Sequence, residues 1–445
     1  MAETKHSRRR LSSFQIIILG FAGLILLGAL LLMLPAASAD RTVTPFNETL
    51  FTSTSAVCVT GLIVQDTGSH WSVFGQAVIL LLIQIGGLGV VTVAAAFALL
   101  SGKRISLRQR STMQDAISAP GVGGIVRLTG FILRGTLLIE LLGALAMMPV
   151  FCRDFGLKGI WLAVFHSISA FCNAGFDILG QPNALYPSLT AYSADPGICI
   201  TIMLLIILGG LGFLTWEDIC THTWHLRRYR MQSKVILTVT AFLIVVPAVF
   251  FCFADFSGYP LGERLLLSFF QSVTPRTAGF NTAELGSMNS SSQALMIILM
   301  LIGGAPGSTA GGMKVTTLVV LFANAIAVFR RREDAQLFGR RIETDTVRSA
   351  ATIFIMYLSL FLLGGIVIST AEGLPLSSCL YDSASAIGTV GLTLGITPQL
   401  GLLSQLILIA EMFLGRVGGL TFIYAALAGM GRTPAKLPME KINVG

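Results

Sequence analysis

Residues 385–392 read SAIGTVGL, a run of small residues that ends in a glycine and one apolar side chain. Related runs occur three more times, as SAVCVTGL at 55–62, SAFCNAGF at 169–176 and VTPRTAGF at 273–280, with Ser272 one place earlier in the last. The glycines near the ends of the four runs are Gly61, Gly175, Gly279 and Gly391. They recur at intervals of roughly 110 residues, so the sequence predicts four copies of one structural unit.

The four runs have little side chain with which to pack or react, so the groups that they can offer are backbone carbonyl oxygens. Glycine turns such carbonyls freely, because it adopts φ > 0 without strain. Four such segments around one axis can form a ring of oxygens that replaces the water shell of a cation. One run alone would indicate only a turn glycine, but four evenly spaced copies favour the ring. The residues predicted to bind the cation, here called the filter segments, are Val59, Thr60, Gly61, Asn173, Ala174, Gly175, Thr277, Ala278, Gly279, Thr389, Val390 and Gly391.

The composition of the chain is that of a membrane protein. Of its 445 residues, 54% are hydrophobic and only 12% are charged, and the mean hydropathy is +0.79. A chain of this kind would not stay soluble as an ordinary globular protein. The net charge of +8 does not require a nucleic-acid partner, because membrane proteins of many spans collect Lys and Arg on their cytoplasmic loops.

The sequence predicts an all-α fold with eight transmembrane spans, because eight apolar stretches are long enough to cross a bilayer. They lie near residues 14–34, 72–100, 128–151, 198–218, 235–255, 293–329, 350–371 and 402–430. Each filter segment falls between the two spans of a pair and follows a shorter apolar segment. The shorter segments, which are too short to span and are typical of re-entrant pore helices, lie near 45–57, 160–172, 263–274 and 376–387.

Each unit is therefore predicted to be a helix, a pore helix, a filter segment and a second helix, and the four units are expected to surround one pore. The predicted units are residues 1–100, 101–218, 219–329 and 330–445. Of the 30 Lys and Arg residues, 22 lie in the terminal tails and in the loops between units. Because basic loops remain in the cytoplasm, both termini are predicted to be cytoplasmic and all four units to have the same orientation. Parallel units disfavour the inverted-repeat transporters.

The second span of the third unit contains the sequence GGAPGSTAGG at 303–312, here called the gate loop. Five glycines and Pro306 within ten residues cannot hold a regular helix. A continuous helix over 293–329 would also be roughly 55 Å long, against about 30 Å of hydrocarbon. The sequence therefore predicts a broken helix whose irregular loop lies in the pore just beneath the filter segments.

Two basic residues, Lys314 and Arg416, are predicted to lie inside the membrane. An uncompensated charge there costs at least about 2.5 kcal/mol, so both are expected to face the pore or to bind backbone carbonyls. Arg416 has two interpretations, a contact with another helix or hydrogen bonds to the gate loop that hold a barrier across the pore. The residues predicted to form the gate are Gly303, Gly304, Ala305, Pro306, Gly307, Ser308, Thr309, Ala310, Gly311, Gly312, Lys314 and Arg416. Partners for Glu140, Glu411 and Arg134, which also lie in spans, cannot be predicted.

The gate loop has some likeness to a glycine-rich phosphate-binding loop, because Lys314 follows it closely. However, Met313 separates Gly312 from the lysine, and apolar spans flank the loop where the phosphate-binding motif needs a strand and a soluble helix. The chain also lacks HExxH, GxSxG and paired catalytic carboxylates. We therefore expect neither an enzyme nor an organic cofactor.

Six stretches of the chain resemble the Trk/Ktr/HKT superfamily of potassium transporters, most closely the bacterial Ktr-type ion-translocating membrane subunit (KtrB). They are TSAVCVTGLIVQDTG at 54–68, IQIGGLG at 83–89, HSISAFCNAGFD at 166–177, FQSVTPRTAGFN at 270–281, SAIGTVGLTLGITP at 385–398 and FLGRVGGLTF at 413–422. The resemblance implies potassium uptake across the bacterial inner membrane, with K⁺ at the filter carbonyls. It places the family's gating loop at 303–312 and its pore arginine at Arg416.

The same resemblance bears on ion choice and on partners. In this family a serine in the first filter segment accompanies sodium transport, so Gly61 implies K⁺. A Na⁺-conducting or Na⁺-coupled transporter of the same fold remains the alternative, because one sequence does not fix the field strength of a carbonyl ring. The family also implies a homodimer with one pore per subunit, seated on a cytoplasmic ring of nucleotide-binding regulatory subunits similar to KtrA.

Overall fold

The structure is a computed structural model, and it describes residues 12–100, 106–117, 121, 123–223, 225–419, 421, 438 and 440. The described residues exclude the N-terminal tail, most of the C-terminal tail and part of the loop near 101–127. They also exclude most of the residues after Gly419 in the predicted span 402–430. The α-helices of the described part are, in chain order, Ser13–Leu32 (α1), Phe46–Val57 (α2), Thr67–His70 (α3), Val73–Leu88 (α4), Val90–Leu100 (α5), Leu107–Ile117 (α6), Ile125–Phe155 (α7), Lys158–Phe171 (α8), Pro196–Gly210 (α9), Phe213–His222 (α10), Met231–Ala254 (α11), Leu261–Val273 (α12), Ser290–Leu301 (α13), Val315–Phe329 (α14), Thr344–Glu372 (α15), Leu376–Gly388 (α16) and Leu402–Val417 (α17).

Two elements lie in loops for which the sequence predicts no secondary structure. Helix α6 lies in the loop near 101–127 and packs against α1 and α5. In the loop near 330–348, strands Gln336–Leu337 (β1) and Arg340–Arg341 (β2) pair as an antiparallel hairpin. Neither element has the long apolar period from which the eight spans are predicted, so both depend on contacts with their neighbours.

Four helices of the described part, α1, α7, α11 and α15, are long and apolar enough to cross a membrane. Each is the first helix of this length in one of the four predicted units. The pairs α4–α5 and α9–α10 meet the same test only when each pair is counted as one span, and they are bent by 96° and 98°. By length and composition, the described residues therefore hold four spanning helices, or up to six.

The bends in these pairs differ from the sequence prediction, which treats 72–100 and 198–218 as continuous spans. Each bend lies at a glycine in the left-handed region, Gly89 with φ 86° and Gly212 with φ 85°. Helix α17 ends at a third such residue, Gly418 with φ 89°. Because this conformation cannot continue a right-handed helix, the glycine clusters interrupt the second helix in every unit. The third unit has, in addition, the irregular loop that the sequence predicts.

The four short helices at the predicted pore-helix positions are α2, α8, α12 and α16. Each is held against the first long helix of its own unit (α1, α7, α11 or α15) by a serine hydroxyl that donates to a backbone carbonyl. The four bonds are Ser53 to Ile25 (2.7 Å), Ser167 to Glu140 (2.6 Å), Ser272 to Ile244 (2.6 Å) and Ser383 to Phe361 (2.9 Å). In three units a glycine three residues further along the first helix makes room for the hydroxyl. In the third unit Pro247 occupies that position, and because proline has no N–H, the Leu243 carbonyl also accepts from Ser272 at 3.2 Å.

Candidate functional site

The four filter segments meet at their glycines. A methyl group placed on Gly61 would lie 3.1 Å from Gly175 Cα, and one on Gly175 would lie 2.9 Å from Gly279 Cα. One on Gly279 would lie 3.2 Å from Gly391 Cα, and one on Gly391 would lie 2.9 Å from Gly61 Cα. The four contacts return to their starting point, so the filter segments form a closed ring in chain order.

A carbonyl oxygen fills the space beside each of these glycines. The oxygens of Ala174, Ala278, Val390 and Thr60 lie where a side chain on Gly61, Gly175, Gly279 and Gly391, respectively, would begin. All four glycines have positive φ, between 67° and 98°. The residue two places before each glycine also has positive φ, at Val59 (50°), Asn173 (59°), Thr277 (69°) and Thr389 (53°). Residues other than glycine rarely adopt this conformation, so its recurrence marks one backbone geometry shared by all four segments.

Hydroxyl groups at the ends of the pore helices hold the filter segments in two ways. In units 1 and 4, Ser55 and Ser385 accept hydrogen bonds from the N–H groups of Gly61 (3.0 Å) and Gly391 (2.9 Å). In units 2 and 3, the hydroxyls of Ser169 and Thr274 donate to the carbonyls of Phe176 (2.8 Å) and Phe280 (2.5 Å). The sequence pattern misses Thr274, because the third pore helix is one residue closer to its glycine. Ser272 binds the first helix instead.

The gate loop lies directly beneath the ring and is bonded to unit 2 through its backbone. Ala305 N donates to Gly210 O (2.9 Å), Thr309 N donates to Gly209 O (3.2 Å), and Phe213 N donates to Gly307 O (2.7 Å). The Thr309 hydroxyl reaches Phe171 O, at the end of the second pore helix (3.0 Å).

The other end of the gate loop contacts unit 4. Gly312 N donates to Gly415 O (3.1 Å). A methyl group on Gly312 would lie 2.8 Å from Gly388 O, and one on Gly311 would overlap the Thr389 side chain. The loop thus extends under the filter from the second unit to the fourth.

Arg416 and Lys314 supply donors to the carbonyls of the gate loop. The Arg416 guanidinium donates to Thr309 O and Gly86 O, and to Gly87 O at 2.9 Å. Lys314 Nζ donates to Ala310 O (2.7 Å) and Gly311 O (3.3 Å). Both interpretations of Arg416 therefore describe contacts that are present, since one guanidinium binds the loop and helix α4 together. The contacts beneath the ring therefore involve all four units.

A cavity of about 260 Å³ adjoins the gate loop and is lined in part by Ser308, Lys314 and Arg416. Its lining also includes Asp115, an exposed residue of helix α6 for which the sequence pattern gives no signal. A carboxylate in such a cavity favours cations, because the charges of the two basic residues would otherwise repel them.

Carboxylates also lie on the other side of the filter segments. Asp66 accepts hydrogen bonds from the N–H groups of Ser69 (2.8 Å) and Tyr186 (2.9 Å), which joins the outer loops of units 1 and 2. Asp177 is two residues past Gly175, and burial raises the pKa of its carboxyl to about 7. Burial therefore favours the neutral form of Asp177 and weakens the negative charge that it can offer to a cation.

Glu140, Glu411 and Arg134, for which the sequence predicts no partners, lie in different surroundings. The Gln84 amide donates to Glu140 (3.2 Å), and the Ser383 hydroxyl donates to Glu411 (2.8 Å). Arg134 is exposed on the surface of helix α7. None of the three contacts a filter segment or the gate loop through a described hydrogen bond.

Comparison with known proteins gives consistent matches over almost the whole chain. A family model described as TrkH, cation transport protein, matches residues 2–430. The chain is 40% identical to the potassium/sodium uptake protein NtpJ of Enterococcus hirae, with 99% of each chain covered. It is 36% identical to the Ktr system potassium uptake protein B of Bacillus subtilis, with 92% of each chain covered. The crystal structure of the potassium transporter TrkH from Vibrio parahaemolyticus has the same fold, with a TM-score of 0.74 at 19% identity over 97% of this chain and 87% of that one.

Proposed function

We propose that this chain, which belongs to the TrkH family of cation transport proteins, is the ion-conducting subunit of a potassium uptake system. Its family and its apolar helices identify it as a multi-pass membrane protein that transports cations and is not an enzyme. The closed ring of Gly61, Gly175, Gly279 and Gly391, with carbonyl oxygens beside every glycine, carries the proposal. Such a ring can replace the water shell of K⁺.

The proposed architecture is that of four parallel units around one pore with eight transmembrane spans. The units are residues 1–100, 101–218, 219–329 and 330–445, and each contributes one filter segment. The repeated pore-helix serines and the repeated positive φ values support this division. The gate loop, Lys314 and Arg416 form the barrier beneath the filter.

The transported ion is proposed to be K⁺. Of the two relatives described above, one is named for potassium uptake and one for potassium and sodium uptake. Gly61 places no side chain at the point where the first filter segment meets its neighbours, like the glycines of the other three segments. Na⁺ conduction or Na⁺ coupling is the second candidate, because the relative that is 40% identical is a potassium/sodium uptake protein.

Partners are proposed from the same relatives. The relative from Bacillus subtilis is named as protein B of a Ktr system, and the letter indicates a further component. We propose a homodimer in the bacterial inner membrane that binds a cytoplasmic ring of nucleotide-binding subunits. The basic loops between the units, including the hairpin of β1 and β2, would face that ring. No organic cofactor is proposed.

Uptake of ⁸⁶Rb⁺ and ²²Na⁺ into proteoliposomes that contain the purified protein tests the proposed function. We expect Rb⁺ uptake that K⁺ inhibits at lower concentration than Na⁺ does, because K⁺ and Rb⁺ have similar radii. Equal inhibition by the two ions would favour the second candidate. Liposomes without protein measure the leak.

The proposed orientation gives a separate prediction. A cysteine at Gln181, which lies in the loop after the second filter segment, should react with an impermeant thiol reagent from outside the cell. A cysteine at Gln336, on the hairpin, should react only from inside. Both positions are exposed. Cys220 is also exposed and is replaced by Ser in the background chain. Labelling of position 336 from outside would reverse the orientation.

A further inference from the structure

The position just before the pore-helix serine is polar in all four units. It is occupied by Thr52, His166, Gln271 and Asp382, and all four side chains are completely buried. Each of them has one polar atom with no partner in the described part of the chain, namely Thr52 Oγ1, His166 Nε2, Gln271 Oε1 and Asp382 Oδ1. A buried polar atom without a partner costs free energy, so four at one repeated position call for a role beyond packing.

Only two of the four side chains contact residues that directly follow the filter glycine of their own unit. Asp382 Oδ2 accepts from the hydroxyls of Thr393 (3.0 Å) and Thr397 (2.5 Å). Gln271 Nε2 lies 3.3 Å from Asn281 Oδ1 and makes a similar contact in unit 3. His166 instead bonds within its own helix, to Leu162 O at 2.8 Å. In the described part of the chain, this position is therefore linked to the residues after the filter only in units 3 and 4.

Asp382 has the stronger of the two links. The Thr393 hydroxyl that it holds also accepts from Gly395 N at 3.0 Å and lies 3.0 Å from the Thr397 hydroxyl. These bonds fix residues 392–397, here called the outer segment, which begins immediately after Gly391. On its inner side the same glycine is held by Ser385. Gly391 is thus fixed from both sides, and its neighbour Val390 supplies the carbonyl beside Gly279.

Packing alone does not explain a carboxyl group at this position. Asp382 is completely buried and makes no ion pair in the part of the chain that the structure describes. An apolar residue of similar size would avoid the free energy of burying the carboxyl group. All of its hydrogen-bond donors lie in the outer segment, so the group acts on the position of that segment.

We propose that Asp382 is a positioning residue for ion selectivity, which holds the outer segment of unit 4 so that the carbonyls of the fourth filter segment keep their spacing. The inference rests on the proposed function of the filter segments. Selectivity among cations depends on the number and placement of the carbonyls in the ring, and loss of this support changes both in one quarter of the ring.

The test compares three substitutions in purified protein. Asp382→Leu removes both bonds, and we expect the ratio of Rb⁺ to Na⁺ uptake to fall about tenfold, which corresponds to about 1.4 kcal/mol of differential stabilisation. Asp382→Asn keeps one oxygen that can accept from both threonines, so its ratio should stay within twofold of wild type. Thr52→Val is the matched control at the equivalent position of unit 1, where no bond is lost, and its ratio should also stay within twofold.

An unchanged ratio for Asp382→Leu, in protein with the melting temperature of wild type, overturns the inference. Should Asp382→Leu fail to fold, Thr397→Val removes the shorter bond to Asp382 together with the contact between the Thr397 and Thr393 hydroxyls, and keeps the bond from Thr393 to Asp382. A fall of less than twofold in the ratio for this variant would then overturn the proposal. A parallel measurement on Gly391→Ser separates two failures. If Gly391→Ser alters the ratio and Asp382→Leu does not, the positioning role fails and the filter stands. If neither alters it, the filter assignment itself fails.

Discussion

Deletion of residues 305–310 is expected to raise Rb⁺ uptake by the purified protein at least tenfold in the absence of any regulatory partner. The deleted residues carry the carbonyls and N–H groups that bond the gate loop to Gly209, Gly210 and Arg416. Without them nothing in the described structure extends beneath the filter from unit 2 to unit 4. The pore should then conduct whenever the filter is occupied.

The geometry of the gate loop indicates that the shortened chain can still fold. Gly303 N donates to Met313 O (2.7 Å), and Val315 N donates to Gly304 O (3.1 Å). A methyl group on Gly304 would lie 2.5 Å from Ala310 Cβ. The two ends of the deleted segment are therefore adjacent, and a direct link between Gly304 and Gly311 leaves helices α13 and α14 in place.

Arg416→Ala should also raise Rb⁺ uptake, because it removes hydrogen bonds that are made only in the closed state. Its hydrogen bonds to Thr309, Gly86 and Gly87 are charge-assisted, and bonds of this kind contribute about 1.5–3 kcal/mol each. Loss of one such contribution from the closed state shifts the equilibrium between closed and open forms roughly ten- to a hundredfold.

Arg134→Ala is the matched control for Arg416→Ala, because it removes an arginine from an apolar helix that makes no described contact with the gate loop, and its uptake should equal that of wild type. Uptake by correctly folded Arg416→Ala and by the deletion variant that does not exceed wild type would mean that the loop is a structural kink and not a gate.

Replacement of Gly391 or Gly279 by Ser should reduce discrimination between K⁺ and Na⁺ at least tenfold. Both glycines have positive φ, 98° and 80°, where a side chain costs about 1–2 kcal/mol. The new Cβ would also overlap Thr60 O in the first case and Val390 O in the second. Relief of this overlap requires a carbonyl of the neighbouring filter segment to move. The ring then loses the spacing that distinguishes the two ions.

Gly373→Ser provides a control for a side chain at positive φ away from the filter. Gly373, at the end of helix α15, also has positive φ, 66°, but no atom lies within 4 Å of the place that its Cβ would occupy. Both substitutions in unit 4 place a side chain at positive φ, and only Gly391→Ser crowds the ring. Inhibition of Rb⁺ uptake by K⁺ and by Na⁺ measures the discrimination. If Gly391→Ser and Gly373→Ser have the same effect, crowding of the ring is not the cause.

The prediction for the gate loop and the prediction for the filter glycines concern two parts of the molecule that are held in different ways. Each filter segment has a hydroxyl bond within its own unit, from Ser55, Ser169, Thr274 or Ser385, and one side-chain bond joins two filter segments, between Asn173 and Thr277 (3.2 Å). The gate loop, in contrast, is fixed by bonds to units 2 and 4 and, through Arg416, to unit 1. A change in the relative positions of the units would therefore break more bonds of the gate loop than of the filter. A cytoplasmic partner that binds the loops between units could open the gate in this way without loss of selectivity.

Local composition was sufficient to predict the repeated glycine turns of the filter segments and the break in the helix at the gate loop. Gly61, Gly175, Gly279 and Gly391 stand out because a lone glycine that follows small residues at four regular intervals is not expected of ordinary turns. The break near 303–312 follows from the inability of five glycines and a proline to hold a helix. The pore helices end within two residues of the predicted bounds, because their lengths are set by the same glycines.

Contacts between distant residues could not be predicted in this way. The sequence places Arg416 in the membrane, but the choice of Thr309, Gly86 and Gly87 as its acceptors depends on the packing of three units. The same applies to Thr274, which takes the role of a serine because the third pore helix is shifted by one residue relative to its glycine. It applies also to Asp382, because the sequence does not indicate that the Thr393 and Thr397 hydroxyls turn back to this carboxylate. Composition and period determine local backbone conformation; the pairing of buried polar groups is decided by tertiary structure, because each such group must find a partner among whatever the packed helices bring near it.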